Sequence, residues 1–307
     1  MAPLAQQAPL VTFGIPVRNE ADSIARCLDS ILGQNFEDFE VIVSDNASTD
    51  ATPEVVLDYA ARDSRISLFR FDENQGIIEN FNHVARLARG EYFRWMGADD
   101  WIEPTYVSDC VTAFERSPSA IVATTYFDLE RRRGEYDYTE YQGEMLESDD
   151  PVRRLDRMLW LIHEGPSVYE PIYSMMRRRV LLKTGLLRVH RKNDWLLATQ
   201  LSLAGTFVHV PKRLFHRWWP VDQDRTSNLA EKLHPVRHRE LTISARNLFH
   251  SLLLVIEQAD LSASDRRICR RHVAFFCARL LPKMVLGHLN RFRRERLGLT
   301  RERFRLS

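Results

Sequence analysis

Two adjacent carboxylates, Asp99 and Asp100, follow a strand-like run at residues 91–96 after two small residues. If that run is a strand of an open α/β sheet, the acids lie at its carboxyl edge, where such sheets bind their ligands. Carboxylates there suit a hard divalent cation, and such a cation commonly holds phosphate oxygens. The alternative is a turn in which an aspartate caps the helix that begins near Pro104. The pair therefore predicts either a metal–phosphate site or a helix cap.

Polar clusters also follow two earlier strand-like runs. The run at 11–17 (VTFGIPV) is followed by Arg-Asn-Glu, and the run at 40–45 (EVIVSD) by Asn-Ala-Ser-Thr-Asp. In a parallel sheet these clusters converge with Asp99 on one crevice. An aspartate at a strand end can accept a hydrogen bond from the imide N–H of uracil or thymine, or from a ribose hydroxyl. For Asp50 we favour an Asx-turn that opens the next helix.

The elements that must position these residues alternate along the first half of the chain. Strand patterns fall at 11–17, 40–45, 66–71, 91–96 and 120–126, and helix patterns at 21–34, from 52, at 77–88 and at 104–117. Repeated βα units of this length favour a mostly parallel sheet with helices on both faces. The chain has neither G-x-G-x-x-G nor G-x-x-x-x-G-K-[ST], so a dinucleotide or P-loop site is not predicted. We predict a Rossmann-like nucleotide-binding half.

The clusters IPVRNE, DNASTD, NQG and GEYFRWMGADD, in this order and spacing, resemble the family 2 glycosyltransferases of the GT-A fold over about residues 10–220. The resemblance implies an α/β fold with a Rossmann-like, mostly parallel sheet flanked by helices. It divides the chain into a catalytic domain at 1–228 and a C-terminal helical region with a basic tail at 229–307. Within the first domain, about 10–128 would bind the nucleotide and about 129–228 the acceptor.

The resemblance also assigns roles to individual residues. Asp45 would recognise the base, and Asp99, matching the last acid of the family's D-x-D motif, would bind a divalent metal, Mn²⁺ or Mg²⁺. Gly97 stands where the family has the first acid of that motif. The complete set of nucleotide-binding positions that it implies is Pro16, Val17, Arg18, Glu20, Asp45, Asn74, Gly76 and Ala98.

An inverting transferase also needs a carboxylate base, which the family places at the start of a helix in an acid-Asp-aromatic context. Here Asn193-Asp194-Trp195 precedes an apolar helical stretch, with Asn193 in place of the commoner Glu. Asp194 is therefore the predicted base; its alternative role is to complement the helix dipole. Asp100, His216 and Arg217 are weaker candidates for contacts to the diphosphate or the metal. The residues Tyr173 and Met175 fall near the expected acceptor cleft, where such residues are more often core than site.

The C-terminal quarter is rich in helix formers, with helix patterns at 241–258 and 266–288. These helices are expected to pack onto the catalytic domain or to pair with a second subunit. The stretch at 291–305 is strongly basic, although the formal net charge of the chain is only +1. A basic amphipathic terminus can make peripheral contact with an anionic membrane; a solvated tail is the alternative. No nucleic-acid partner is expected.

Four dispersed cysteines without a metal or C-x-x-C pattern favour a reducing cytosol. The first residues do not resemble a signal peptide, and no apolar stretch approaches the length that spans a bilayer. We expect a cytoplasmic protein, with attachment to the inner face of a membrane as the alternative.

The predicted activity is transfer of a sugar, with inversion, from a nucleoside-diphosphate sugar to a hydroxyl of a glycan, lipid-linked glycan or natural product. UDP is preferred because Asp45 can read an imide N–H; dTDP presents the same edge, and GDP stays open. The alternatives are a non-catalytic nucleotide-sugar-binding scaffold and a nucleotidyltransferase.

Overall fold

The computed structural model describes residues 8–132, 134–139, 146–164, 171–219 and 245–297, with only the backbone of 139, 245, 246 and 281–297. Its strands are β1 (Val11–Val17), β2 (Phe39–Asp45), β3 (Ile66–Arg70), β4 (Tyr92–Trp95), β5 (Trp101–Ile102), β6 (Ala120–Arg132), β7 (Glu135–Thr139), β8 (Met175–Arg177) and β9 (Thr206–Trp218). Its α-helices are α1 (Ile24–Leu32), α2 (Thr52–Arg62), α3 (Ile77–Leu87), α4 (Tyr106–Arg116), α5 (Pro151–Glu164), α6 (Arg178–Lys183), α7 (Asn193–Ala204), α8 (Ala245–Gln258) and α9 (Ala263–Leu297).

One sheet organises the described part of the chain, in the order β3-β2-β1-β4-β8-β6-β9-β5, with β7 paired to β6. The strands β3, β2, β1 and β4 are parallel, and β1 pairs with β2 on one side and β4 on the other. The strands that follow β1 in the chain are therefore added first on one side of it (β2 and β3) and then on the other (β4). A crevice opens at the carboxyl edge of the sheet where this order reverses. The predicted α/β fold is confirmed. Beyond β4 the sheet is mixed, because β8 runs antiparallel between β4 and β6.

Two apolar cores cover the two faces of the sheet. Successive residues of β2 divide between them, with Val41 and Val43 in one core and Ile42 in the other, because side chains alternate across a strand. Helices α1, α2 and α4 pack on the first face, and α3, α5, α7, α8 and α9 on the second. The inner strands are thus covered on both sides, as their continuous apolar runs predicted.

The C-terminal helices share the second core. Leu248, Leu252 and Val255 on α8, and Cys269 and Val273 on α9, are buried in the same cluster as α5 and α7. In the described part of the chain these helices pack onto the catalytic domain. The helix α9 continues to Leu297, further than the pattern at 266–288 indicated.

Several predicted features lie outside the described residues: the domain boundary at 228–229, the end of the basic tail at 298–305 and the side chains of its beginning. None of the helices in the described ranges is both long enough and apolar enough to cross a bilayer.

Candidate active site

A cavity of about 620 Å³ lies at the carboxyl edge of the parallel strands. The loops that follow β1, β2 and β4, the loop that leads into α3, and α3 itself contribute to its wall, together with Tyr173 from a 3₁₀ turn at Pro171–Tyr173. The crevice predicted from the strand ends is therefore present. The predicted site residues that line it are Pro16, Val17, Arg18, Glu20, Asn74, Ala98 and Asp99.

The loops after β1 and β2 are held together by hydrogen bonds from backbone amides. The amide of Asn19 donates to Ser48 Oγ (2.9 Å), and that of Glu20 donates to Thr52 Oγ1 (2.8 Å). Asp50 accepts the amide of Thr52 (3.0 Å), the Asx-turn predicted for it, and also the amide of Ala21 (3.1 Å). The two loops therefore form one rim of the cavity.

Asn46 joins the loops after β1, β2 and β3, and the sequence analysis did not identify it. Its Nδ2 donates to Asn74 Oδ1 (2.8 Å), and its Oδ1 accepts the amide of Gln75 (2.8 Å). Its own amide donates to the carbonyl of Val17 (2.9 Å). Gly76 donates to Asn74 Oδ1 (2.9 Å) and has a φ of 85°, a left-handed value that favours glycine. Gly76 thus shapes the turn without lining the cavity.

Asp45 is fully buried behind this rim. Its carboxylate accepts the amide of Ser48 at 3.2–3.3 Å and the Ser48 hydroxyl, and it pairs with Arg70 Nε at 3.2 Å. Asp45 is not among the residues that line the cavity; Asn46 beside it is. Base recognition by Asp45 stays a prediction, and it requires a base to reach a carboxylate that Ser48 and Arg70 already contact.

Asp99 and Asp100 are adjacent in the chain but lie in different surroundings. Asp99 is half-buried and lines the cavity. Asp100 is 2% exposed; its Oδ1 accepts the amide of Trp218 (3.2 Å), and its Oδ2 lies 3.5 Å from Arg217 Nε. Burial raises the pKa of Asp100 to about 7, although the positive charge of Arg217 opposes this shift. Asp100 therefore contacts the end of β9 through Arg217 and Trp218 and is not among the residues that line the cavity.

Gly97 makes room for Asp100. A Cβ atom at position 97 would lie 2.6 Å from Asp100 Oδ2 and 3.0 Å from Asp99 Oδ1, closer than non-bonded atoms approach. A carboxylate side chain at 97 thus does not fit unless Asp100 moves. This accounts for glycine at the position to which the resemblance assigns the first acid of the D-x-D motif.

A metal at this site would depend on the substrate for most of its ligands. No group of three or more His, Cys, Asp or Glu side chains within the described ranges is arranged to hold a metal ion. Two acids line the cavity, Glu20 and Asp99, and the Glu20 carboxylate already accepts a hydrogen bond from Ser23 Oγ (2.6 Å). Mg²⁺-type sites commonly use one or two carboxylates together with substrate phosphates, so the residues present fit a metal that arrives with a diphosphate.

His216 and Arg217 lie behind the cavity wall. His216 Nε2 is 2.8 Å from Glu103 Oε1, its Nδ1 is 3.4 Å from Asp128 Oδ2, and its ring stacks on Trp101. The guanidinium of Arg217 lies 4.5 Å from the ring centre of Tyr173, which does line the cavity. The role predicted for both, contact with the diphosphate, stays a prediction.

Asp194 occupies the first turn of α7, as expected, and is half-buried. Burial raises the pKa of its carboxyl, while the positive charge of Lys192 opposes the shift. Asp194 is not among the residues that line the cavity. The helix α7 packs against the turn at 171–173, whose Tyr173 does line it, so the acid lies on the element next to the cavity. Its role as the base stays a prediction.

Asn80 and Phe81, one helical turn into α3, also line the cavity and were not predicted. Their spacing from Ile77 places all three residues on one face of the helix. This spacing predicts that the face is buried, but it does not distinguish a face that packs in the core from one that lines a cavity. Asn80 is 3% exposed; its Nδ2 donates to the Val17 carbonyl (3.3 Å), while its Oδ1 has no hydrogen-bond partner in the described structure. This oxygen is itself enclosed by protein atoms, so it reaches a ligand only if the side chain turns. Tyr173 lines the cavity, whereas Met175 is fully buried core.

A parallel half-sheet with a polar crevice at its carboxyl edge, continued by a mixed half, is the arrangement of the GT-A fold. Solved structures agree. S. aureus TarS 1–349 in complex with UDP-GlcNAc superposes with a TM-score of 0.65 and 18% identity, covering 89% of this chain and 72% of that one. The mannosyltransferase PcManGT from Pyrobaculum calidifontis, in complex with GDP-Man and Mn²⁺, gives a TM-score of 0.57 at 18% identity, covering 94% and 81%.

Residues 12–184 match the family described as Glycosyl transferase family 2, and the chain belongs to this family of sugar-transferring enzymes. The resemblance noted from its motifs is confirmed. The chain is 34% identical over 220 residues to chondroitin synthase from Escherichia coli, an alignment that covers 69% of this chain and 29% of that enzyme. This chain thus spans less than a third of the length of that relative.

Proposed function

We propose that this protein transfers a sugar from a UDP-sugar to an acceptor hydroxyl with inversion at the anomeric carbon. The observation that carries the proposal is the 620 Å³ cavity, whose wall contains seven residues predicted to bind the donor or its metal. Two observations on relatives add support: the TarS structure contains UDP-GlcNAc and the PcManGT structure GDP-Man. UDP is preferred because Asp45 could accept the imide N–H of uracil; dTDP presents the same edge, and GDP stays open.

The nucleoside would lie against the joined loops after β1 and β2. Pro16, Val17 and Arg18 form one side of this part of the cavity. Asp99 would hold Mn²⁺ or Mg²⁺ together with the donor's diphosphate. When bound, such a metal stabilises negative charge on phosphate oxygens.

Asp194 would take the proton from the acceptor hydroxyl as its oxygen attacks the anomeric carbon and the nucleoside diphosphate departs. A general base of this kind contributes about 10²–10⁴ in rate. The raised pKa of Asp194 makes the carboxylate more basic than an exposed aspartate. The acceptor would be a glycan, a lipid-linked glycan or a natural product.

Calorimetric titration tests the donor site. UDP, dTDP, GDP and CMP would each be titrated with and without Mn²⁺ into the wild-type protein, Asp99→Ala and the control Asp72→Ala, an acid in the loop after β3 that does not line the cavity. We expect metal-dependent binding of UDP that Asp99→Ala abolishes and the control retains. Binding of none of the four would contradict the proposal.

A further inference from the structure

A second cavity, of about 410 Å³, lies between α5 and α9. Two large aromatic side chains in its wall are exposed: Trp160 on α5 by 41% and Phe275 on α9 by 67%. Single exposed aromatic residues are ordinary on protein surfaces, but two of them on opposite sides of one cavity mark a binding surface. Aromatic faces suit the apolar face of a sugar ring. We call this cavity the α5–α9 groove.

The groove is also positively charged. Among the described side chains that line it, Arg157, Arg279, His163 and His272 are basic, whereas Asp156 is the one acid. Asp156 is itself paired with His272 Nδ1 at 3.0 Å. The guanidinium group of Arg279 is exposed, so this wall offers a positive charge to an anion.

The two arginines lie beside the two exposed rings. The guanidinium carbon of Arg157 is 4.1 Å from the ring centre of Trp160, and that of Arg279 is 5.8 Å from the ring centre of Phe275. Guanidinium groups bind carboxylates and phosphates with two parallel hydrogen bonds. Each side of the groove thus pairs a surface for a sugar ring with a donor for an anionic substituent.

The groove adjoins the helix that carries the predicted base. Phe276 lines the groove, and its ring centre lies 6.0 Å from that of Trp195, the residue after Asp194. None of the residues that line the donor cavity lines the groove. The groove and the donor cavity are therefore separate sites, and the groove adjoins α7 through Phe276 on α9 and through α5, which packs against α7.

We propose that the α5–α9 groove binds the acceptor as a glycan chain whose units carry negative charge, with Arg279 pairing an anion and Trp160 and Phe275 holding the rings. Naming this ligand the acceptor rests on the proposed function; binding of an anionic glycan does not. The concave shape favours a chain over a flat lipid surface.

Direct binding without donor tests the proposal on the full chain. The probes are an unsulfated chondroitin hexasaccharide, the same hexasaccharide with its carboxyl groups reduced to alcohols, a phosphorylated dextran oligosaccharide and neutral dextran. We expect at least one charged probe to bind, and its neutral counterpart to bind at least about tenfold more weakly. The tighter of the two charged probes identifies the anion as carboxylate or phosphate.

Variants locate the binding. Arg279→Gln and Phe275→Ala should each weaken the charged probe by about tenfold. Arg267→Gln, an exposed arginine on the same helix outside the groove, and Leu57→Ala, a 56% exposed apolar residue on α2, should leave it unchanged. Equal binding of charged and neutral probes, or equal losses in the two control variants, would overturn the proposal.

Two further arms separate the alternatives. If phosphatidylglycerol vesicles bind in an Arg279-dependent manner and no glycan does, the groove is a membrane contact and the proposal is wrong. UDP titration of the same samples reports on the donor site independently. Glycan binding without UDP binding would remove the donor proposal and keep the groove; UDP binding without glycan binding would do the reverse.

Discussion

At the scale of single residues, neighbouring acids differ because their surroundings differ. Asp99 borders open space and can meet a ligand, whereas Asp100, one residue on, is enclosed by Gly97, Arg217 and the end of β9. Asp194 lies at the start of α7, where burial raises the pKa of its carboxyl group. Each residue supports a separate test.

Asp194→Asn should lower kcat by at least about 100-fold, because the amide cannot accept the acceptor proton, while the affinity for UDP stays unchanged. Steady-state kinetics and calorimetry measure the two effects. The matched control is Glu54→Gln, which removes an exposed first-turn acid from α2. It measures the effect of losing a negative charge that interacts with a helix dipole alone. Near-normal turnover of Asp194→Asn would remove Asp194 from the mechanism.

The same residue predicts a pH dependence. Because burial raises the pKa of Asp194, the carboxylate takes up a proton at a higher pH than an exposed aspartate does. The base is active only when deprotonated, so kcat/KM should fall as pH decreases through the raised pKa and should level off above it. The residual activity of Asp194→Asn should lack this acidic limb; an unchanged limb would assign it to another group.

Gly97→Asp should not add a metal ligand, although it restores the family's first acid. The new Cβ would lie 2.6 Å from Asp100 Oδ2, so Asp100 must move, and we expect a loss of about 1–3 kcal/mol in the free energy of unfolding. Gly97→Ala, which adds the Cβ alone, should lose stability by a similar amount. Urea unfolding and UDP titration with Mn²⁺ measure the effects. Tighter metal-dependent binding at unchanged stability would contradict this account.

At the scale of elements, the donor cavity depends on loops that belong to separate strands. Asn46 connects the loops after β1, β2 and β3 through its side chain and its amide. The sheet fixes the position at which each loop begins, and the hydrogen bonds between the loops hold their remaining residues in place. Preorganisation of this kind lowers the entropy lost on binding.

Asn46→Ala should weaken UDP binding by about tenfold and lower the free energy of unfolding by about 1–3 kcal/mol, because it leaves buried polar groups of the loops without partners. The matched control is Asn82→Ala on α3, whose side chain also makes two hydrogen bonds, to the backbone of Leu187, away from the cavity. The control should lose stability and keep its UDP affinity. Equal losses of affinity in both variants would indicate general destabilisation.

At the scale of the whole molecule, α8 and α9 are parts of the second core and not an independent unit in the described structure. They cover α5 and α7, so they buttress the helix that carries Asp194. The motif resemblance ended near residue 220, and this packing explains why the chain continues beyond it: the apolar faces of α5 and α7 need a cover.

Leu252→Ala should therefore destabilise the entire protein by about 2–5 kcal/mol, in one cooperative transition that circular dichroism and tryptophan fluorescence follow together. Leu252 is fully buried, whereas Leu254 on the same helix is 41% exposed. Leu254→Ala, which deletes the same atoms, should change the free energy of unfolding by about 0.5 kcal/mol or less. Two separate transitions would show that the C-terminal helices unfold independently.

The sequence by itself determined the alternation of strands and helices, the polar clusters at the strand ends and the family. These are local properties: apolar periodicity and turn residues act within a few positions of the chain. The residues of the clusters after β1 and β4 that were predicted to bind the donor, such as Pro16 and Asp99, lie where the strand pattern placed them.

Only the tertiary structure decided which side chains of each cluster face the cavity. Asp45 turns to Ser48 and Arg70 while Asn46 takes its place in the wall, and Asp100 turns to a strand more than a hundred residues away. The antiparallel insertion of β8 and the groove between α5 and α9 likewise arise from contacts between distant segments. Such pairings depend on the packing of the complete chain, which no local pattern encodes.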